Sequence, residues 1–292
     1  MTTDSWTHQF VIANGVRLHY VTQGEGPLML MLHGFPEFWY SWRHQIPEFA
    51  RRYKVVALDM RGYNQSEKPM GVEAYAPAIV AKDVAEVVTA LGYERCVLVG
   101  HDWGGAIAWN VAYDYPDEVE RLVVMNIPHP SAGAKALQPQ QLMRSWYIFM
   151  FQLPWLPELA LSSNDYQLIG RMLSETAVNK QAFTPDDIAR YRQAVAHPGA
   201  LTAMVNYYRN IFSLGGDRRG VLDIPTLMIW GEEDVALGKE LTYGTEQYIR
   251  DFRVRYIPGC GHWVQNEQPS LVNQYMWEFL EPAAAFGGRG QE

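Results

Sequence analysis

The run VLVGHDWGGAIAW, residues 97–109, sets three signals end to end: an apolar strand, a glycine-flanked turn and a helix of small and apolar residues. A strand–turn–helix elbow of this kind holds its apex residue in strained backbone, and the flanking positions must be small so that strand and helix can approach. Gly100, Gly104 and Gly105 meet that requirement and put Asp102 at the apex, the nucleophile position of a G-x-nucleophile-x-G turn. A plainer use stays open at this point, because Asp after a strand is also a common N-cap of the next helix.

Outward from the elbow, short β-branched and aliphatic runs recur at 16–21, 28–32, 54–59, 95–100, 121–126, 225–230 and 252–257. From the fourth onward they are nearly all apolar, which parallel strands covered on both faces require. Helical segments separate them at about 40–52, 75–91, 104–115, 238–249 and 269–281. This alternation predicts an α/β fold with a mostly parallel, doubly wound sheet whose ligands bind beyond the carboxyl ends of the strands. The rhythm stops across 131–218, a stretch rich in aromatic residues and broken by prolines, which reads as an inserted helical lid. The expected division is a core of 1–130 and 219–292 and a cap of 131–218. The tail PAAAFGGRGQE, 282–292, reads as disordered.

Composition narrows the function classes. A net charge of −8 over 292 residues lacks the clustered Lys and Arg that a phosphate backbone requires, so nucleic acid is excluded as a partner. Two cysteines, Cys96 and Cys260, without a second pair at metal spacing suit a reducing compartment, and the cytoplasm is the expected location. The opening MTTDSWTHQF has neither the basic nor the apolar region of a secretion signal. The apolar run 145–161 is interrupted by Gln152, Pro154 and Pro157, so a soluble chain without a membrane span is expected, as a monomer or homodimer.

A carboxylate at the elbow changes the available chemistry. It is ionised at neutral pH and attacks without a base, and at an sp³ carbon it forms an alkyl ester. Attack on a carbonyl would give a mixed anhydride instead, so acyl transfer is disfavoured. Hydrolysis of the alkyl ester does need a base, and an oxyanion hole on the enzyme's own carboxyl group. His262, in the glycine-rich loop PGCGHWVQNEQP after the last strand run, stands where a base belongs. Asp234 follows the strand PTLMIW on the same sheet edge and is the expected acid partner, with Glu232 and Glu233 as neighbouring alternatives. The chain order nucleophile, acid, His is the one this elbow architecture uses. The backbone N–H groups of Phe35 and Trp103 are the expected oxyanion donors. An apolar pocket is expected from Phe35, Trp103, Trp146, Phe149 and Trp263. Asn126 and the histidines at 33, 101, 129 and 197 read as structural. Nucleophile, base and electrophile are all side chains, so no cofactor or metal is expected.

The motifs HGFPEFWYSWR (33–43), RGYNQSEKP (61–69), GHDWGG (100–105), NIPHP (126–130), NYYRN (206–210) and GCGHW (259–263) together resemble the α/β-hydrolase-fold epoxide hydrolases across nearly the full length. That resemblance implies an Asp that opens the epoxide, a His–acid pair that hydrolyses the ester, and two lid tyrosines that hydrogen-bond the epoxide oxygen. The matching positions are Asp102, His262, Asp234, Tyr147 and Tyr208. The residues alone do not separate Tyr208 from Tyr207, or Tyr147 from its aromatic neighbours. The implied partners are a small apolar epoxide and water. A dehalogenase would use the same Asp–His machinery. However, haloalkane dehalogenases carry Asn where this chain has Gly34, and fluoroacetate dehalogenases carry Arg where it has Trp103 and Ala106. A non-catalytic receptor on the same fold would be expected to lose one of these groups, and none is lost.

Overall fold

The computed structural model describes residues 6–135, 138–214 and 220–281. The tail expected to be disordered lies outside these residues. Eight strands form one sheet in the order β1-β2-β4-β3-β5-β6-β7-β8. They are β1 (Thr7–Ala13), β2 (Val16–Gln23), β3 (Leu28–Leu32), β4 (Lys54–Leu58), β5 (Cys96–His101), β6 (Val119–Met125), β7 (Thr226–Gly231) and β8 (Phe252–Ile257). From β4 across to β8 every pairing is parallel, while β1–β2 and β2–β4 are antiparallel.

The apolar runs mark the middle of the sheet. β3, β5 and β7 are buried along their whole length because helices cover both faces. Side chains alternate between two cores, as strand geometry dictates. Leu28, Leu30 and Leu32 join the core built with α2 (Pro77–Ala90) and α3 (Trp103–Asp114). Met29 and Met31 join the opposite core, with α1 (Ile46–Phe49), α10 (Val264–Glu267) and α11 (Pro269–Leu280). At the edge, β8 alternates: Arg253 and Arg255 face solvent and only Ile257 is fully buried.

Three local expectations change. β1 exists although its sequence was not counted among the strand runs; it turns into β2 through Asn14–Gly15, both at positive φ, the pair that a tight hairpin prefers. The helix expected over 238–249 is two 3₁₀ turns, Lys239–Thr242 and Thr245–Gln247. There the Thr242 and Thr245 hydroxyls donate to the carbonyls of Lys239 and Thr242, each at 2.7 Å, and compete with a helical ladder. The helix expected over 40–52 shrinks to a 3₁₀ turn, Trp39–Trp42, and to α1, with Pro47 in its first turn.

Between β6 and β7 the described residues are helical: α4 (Pro130–Lys135), α5 (Pro139–Arg144), α6 (Trp146–Phe151), α7 (Leu156–Thr176), α8 (Pro185–Val195) and α9 (Ala200–Arg209). α8 opens with a reciprocal Thr184–Asp187 capping box. α7 is broken at Ser163–Tyr166, where Asn164, Asp165 and Tyr166 are left-handed. The insertion meets the core through polar anchors: Tyr40 donates to Asp187 at 2.9 Å and Tyr207 to the Arg61 carbonyl at 2.9 Å. Among the described residues, no helix is long and apolar enough to cross a membrane.

Candidate active site

β5 delivers the chain to Asp102 with φ 48° and ψ −120°, a conformation that costs an L-residue on the order of 1–3 kcal/mol and persists only where its surroundings enforce it. Packing does so here. A Cβ on Gly100 would lie 2.5 Å from the Gly104 carbonyl oxygen, so strand and helix approach this closely only without one. The Asp102 side chain makes no capping hydrogen bond to α3, which disposes of the N-cap alternative. Its Oδ1 instead accepts the Phe35 N–H at 2.9 Å.

Opposite Asp102, the His262 Nε2 lies 3.7 Å from Oδ2, beyond hydrogen-bond length. The other ring nitrogen donates to Asp234 Oδ2 at 2.7 Å. Asp234 is fully engaged: Oδ1 accepts the amides of Ala236 (2.8 Å) and Leu237 (2.9 Å), and Oδ2 also accepts the Asn126 side-chain amide at 2.7 Å. Burial opposes ionisation of Asp234, yet the His262 charge and these donors hold its carboxyl below the usual range. Burial likewise opposes protonation of His262, but the Asp234 charge and hydrogen bond, with Asp102 and Glu37 behind them, push it up to about 9. Of the three acidic residues after β7, geometry therefore selects Asp234 over Glu232 and Glu233. Asn126, read from sequence as structural, directly holds the acid partner.

A second polar knot lies beneath. Glu37 is fully buried and accepts from Gly34 N (3.0 Å), Ser41 Oγ (2.7 Å), Gln265 Nε2 (3.0 Å) and His101 Nδ1 (2.7 Å). Burial works against its charge, but His101 and these donors pull its carboxyl down to about 2. The other His101 nitrogen donates to the His262 backbone carbonyl at 2.8 Å. The knot thus joins the loop carrying the Phe35 amide to the loop carrying His262. The sequence reading gives His101 a structural role, as found, and does not single out Glu37.

Asp102, His262, Phe35, Tyr147, Tyr208, Trp146 and Trp263 line one cavity of about 250 Å³. Arg144, Met172, Thr176, Val235 and Ala236 complete its walls and were not foreseen. Tyr208 and Tyr147 lie edge to face with centroids 5.9 Å apart. Tyr207 points elsewhere, its hydroxyl spent on Arg61, so the structure separates the adjacent pair. Burial first, then the charge of Asp102, raises both cavity phenols. Both therefore stay protonated donors at neutral pH.

Two expected wall residues do not line the cavity. Phe149 is 58% exposed. Tyr147 and Phe151 are four apart on α6 and face inward, with Phe151 packed 4.8 Å from the Tyr208 ring, so Phe149 is turned about 200° from Tyr147 and points outward. Trp103 is buried behind the wall, its ring edge-on to Tyr208 at 5.1 Å, because its side chain packs under α9.

A family model described as the α/β hydrolase fold matches residues 27–269. Epoxide hydrolase 4 of Homo sapiens is 41% identical over 277 residues, which span 92% of this chain and 76% of that protein. The AB hydrolase superfamily protein YfhM of Bacillus subtilis is 40% identical over 285 residues, 94% of this chain and 97% of its own length. Among solved structures, the Bacillus megaterium epoxide hydrolase in complex with an inhibitor superposes with TM-score 0.88 at 37% identity, covering 93% of this chain and 99% of that one. With an elbow carboxylate, a His–Asp pair and two phenols around one cavity, and relatives of this similarity over nearly its whole length, the chain belongs to the epoxide hydrolase family of the α/β-hydrolase fold.

Proposed function

We propose that this enzyme opens epoxides to vicinal diols in two steps, with Asp102 as nucleophile and the 130–213 helices as a cap over the site. Asp102 attacks an epoxide carbon and forms an alkyl ester. The C–O bond electrons pass to the epoxide oxygen, which takes a hydrogen bond and then a proton from Tyr147 or Tyr208. Water, deprotonated by His262, next attacks the Asp102 carboxyl carbon. The Phe35 and Trp103 amides stabilise the oxyanion, collapse releases the diol and restores the carboxylate, and the proton that His262 took from water returns to the tyrosinate. One observation carries this reading: a strained, uncapped carboxylate and two protonated phenols line the same small cavity.

The electrostatics suit the order of steps. The first step needs no base, so a His262 held protonated up to about 9 beside the Asp102 carboxylate does it no harm. Esterification removes the Asp102 charge, one of the influences raising His262, and so makes the neutral imidazole easier to reach in the step that needs it.

The dehalogenase reading loses support at Gly34. A Cβ on Gly34 would lie 2.5 Å from the Asp102 Cβ and 2.6 Å from its Oδ1, so no halide-binding side chain fits there in this arrangement.

The test is His262→Gln incubated with styrene oxide. The Asp102 peptide should gain the mass of the epoxide and keep it, while wild type turns over. An unmodified peptide in a folded variant would reject the covalent step.

A further inference from the structure

Glu267 ends α10 as a buried carboxylate, 2% exposed, and its two oxygens hold three backbone N–H groups from two parts of the chain. Oε2 accepts the Val178 N–H at 2.7 Å and the Asn179 N–H at 3.0 Å, just past the C-terminal end of α7. Oε1 accepts the N–H of Trp263, the residue after His262, at 3.2 Å. The Asn179 side-chain amide also donates to the Glu267 carbonyl at 3.1 Å. A second link runs in parallel: the Trp263 indole N–H donates to Thr176 Oγ1 at 2.9 Å, and that hydroxyl donates to the Met172 carbonyl. Thr176, Met172, Trp263 and His262 all line the catalytic cavity.

Taken alone, the bond to Trp263 would be ordinary capping at the start of a short helix. The bonds to residues 178 and 179 do more, because they cross from the His262 loop to the helical insertion. The approach is close at Gly261, the residue before His262. A Cβ there would lie 2.9 Å from Glu267 Oε1 and 3.3 Å from the Thr176 carbonyl oxygen. The number of acceptors also matters. Burying a carboxylate is costly unless its lone pairs are met, and here three donors meet them. Glutamine has the same shape but one acceptor oxygen, so it can serve one side and must turn its own N–H groups toward the other.

Resting on the epoxide hydrolase reading above, we propose that Glu267 is a positioning residue that fastens the His262 loop to the C-terminal end of α7. His262 is then held from three sides: its ring by Asp234, its carbonyl by His101, and the following residue by Glu267. The first two holds belong to the sheet side, and the third alone ties the base to the insertion. A base aimed at one water tolerates about 0.5 Å of misplacement, so this tie bears on ester hydrolysis and not on the attack by Asp102, which uses no base.

The test measures alkylation and ester hydrolysis separately against pH. Glu267→Gln should lower the high-pH plateau of hydrolysis roughly tenfold, with alkylation close to wild type, so that the Asp102 ester accumulates. Glu267→Asp, which keeps two acceptor oxygens, should recover part of the plateau. Thr176→Val cuts the parallel link without removing a charge and should lower the plateau in the same direction; the double variant should lose less than the product of the two, because both links act through Trp263. A plateau unchanged in Glu267→Gln, with only the midpoint moved, would reduce Glu267 to a distant charge and overturn the proposal. Equal losses in both steps would reduce it to general stability and overturn it as well. Should Glu267→Gln fail to fold, Glu267→Asp and Thr176→Val carry the same test. A wild type that forms no Asp102 ester would reject the epoxide hydrolase reading by itself. The His262 ring titration, followed by NMR without substrate, then decides the present point. Its midpoint should fall in Thr176→Val, since a loosened loop weakens the Asp234 bond that raises it, and an unchanged midpoint would overturn the coupling.

Discussion

The two sides of the cavity are built differently. On the sheet side, Asp234 is held by four donors, Glu37 by four more, and both are fully buried. On the helical side, Tyr147 sits on the six-residue α6, which has no side-chain cap, between the exposed Trp146 and Phe149. Its positioning comes from aromatic edges, with Phe151 5.9 Å and Tyr208 5.9 Å away. The contrast assigns work. On the proposed mechanism, the groups that would hold one geometry through ester hydrolysis are the ones fixed by charge-assisted hydrogen bonds, which are directional and strong. Groups that meet varied substrates are held by ring packing, which tolerates small shifts.

The sharpest way to break this contrast is to remove the helical side's chemistry without its shape. Tyr147→Phe or Tyr208→Phe should each slow Asp102 alkylation on the order of 10²-fold, as losing one preorganised donor does, and the double variant should nearly abolish turnover. Hydrolysis of ester already formed should stay close to wild type, since no charge develops on the epoxide oxygen in that step. Rapid-quench measurement of both steps separates the two sides. A defect in hydrolysis equal to that in alkylation would erase the division.

Asn126→Ala probes the sheet side alone. It removes one of the donors to Asp234, a hydrogen bond to a charged group worth about 1.5 kcal/mol, and so should slow ester hydrolysis about tenfold with alkylation unchanged. It should also alter the pH dependence of hydrolysis, which a purely structural loss would leave in place.

The smallest effect expected is the pH response itself. In the resting enzyme His262 is held protonated up to about 9, and on the proposed mechanism loss of the Asp102 charge in the ester lowers that value. Ester hydrolysis should therefore rise with pH and level off with a midpoint below about 9. A raised imidazole loses its proton, and becomes a base, as pH climbs through its pKa. A rate that falls over this range would remove His262 from the role of base.

Much of the sheet side was legible in the chain because its chemistry is local. The elbow needs small residues at fixed offsets around Asp102, and the loops after β7 and β8 carry Asp234 and His262 in the expected order. Asn126 and Glu37 escaped because each acts across the fold, 108 residues from Asp234 and 64 from His101 respectively. Phe149 misled for a different reason. An aromatic run on a short helix has no readable inward face until the neighbouring helices are placed. The Asn14–Gly15 turn and the apolar run Phe10–Ala13 before it are local signals for the first hairpin; what obscures them is that β1 is an edge strand with most of its side chains exposed.

The central claim is that the oxygen delivered to the product comes first from Asp102 and only then from water. A single turnover of styrene oxide by excess enzyme in H₂¹⁸O tests it directly. The diol from that first turnover should carry no solvent oxygen at its new hydroxyl, and the label should appear in the Asp102 side chain. A first-turnover diol bearing ¹⁸O, with Asp102 unlabelled, would show that water attacks the epoxide itself and would contradict the account.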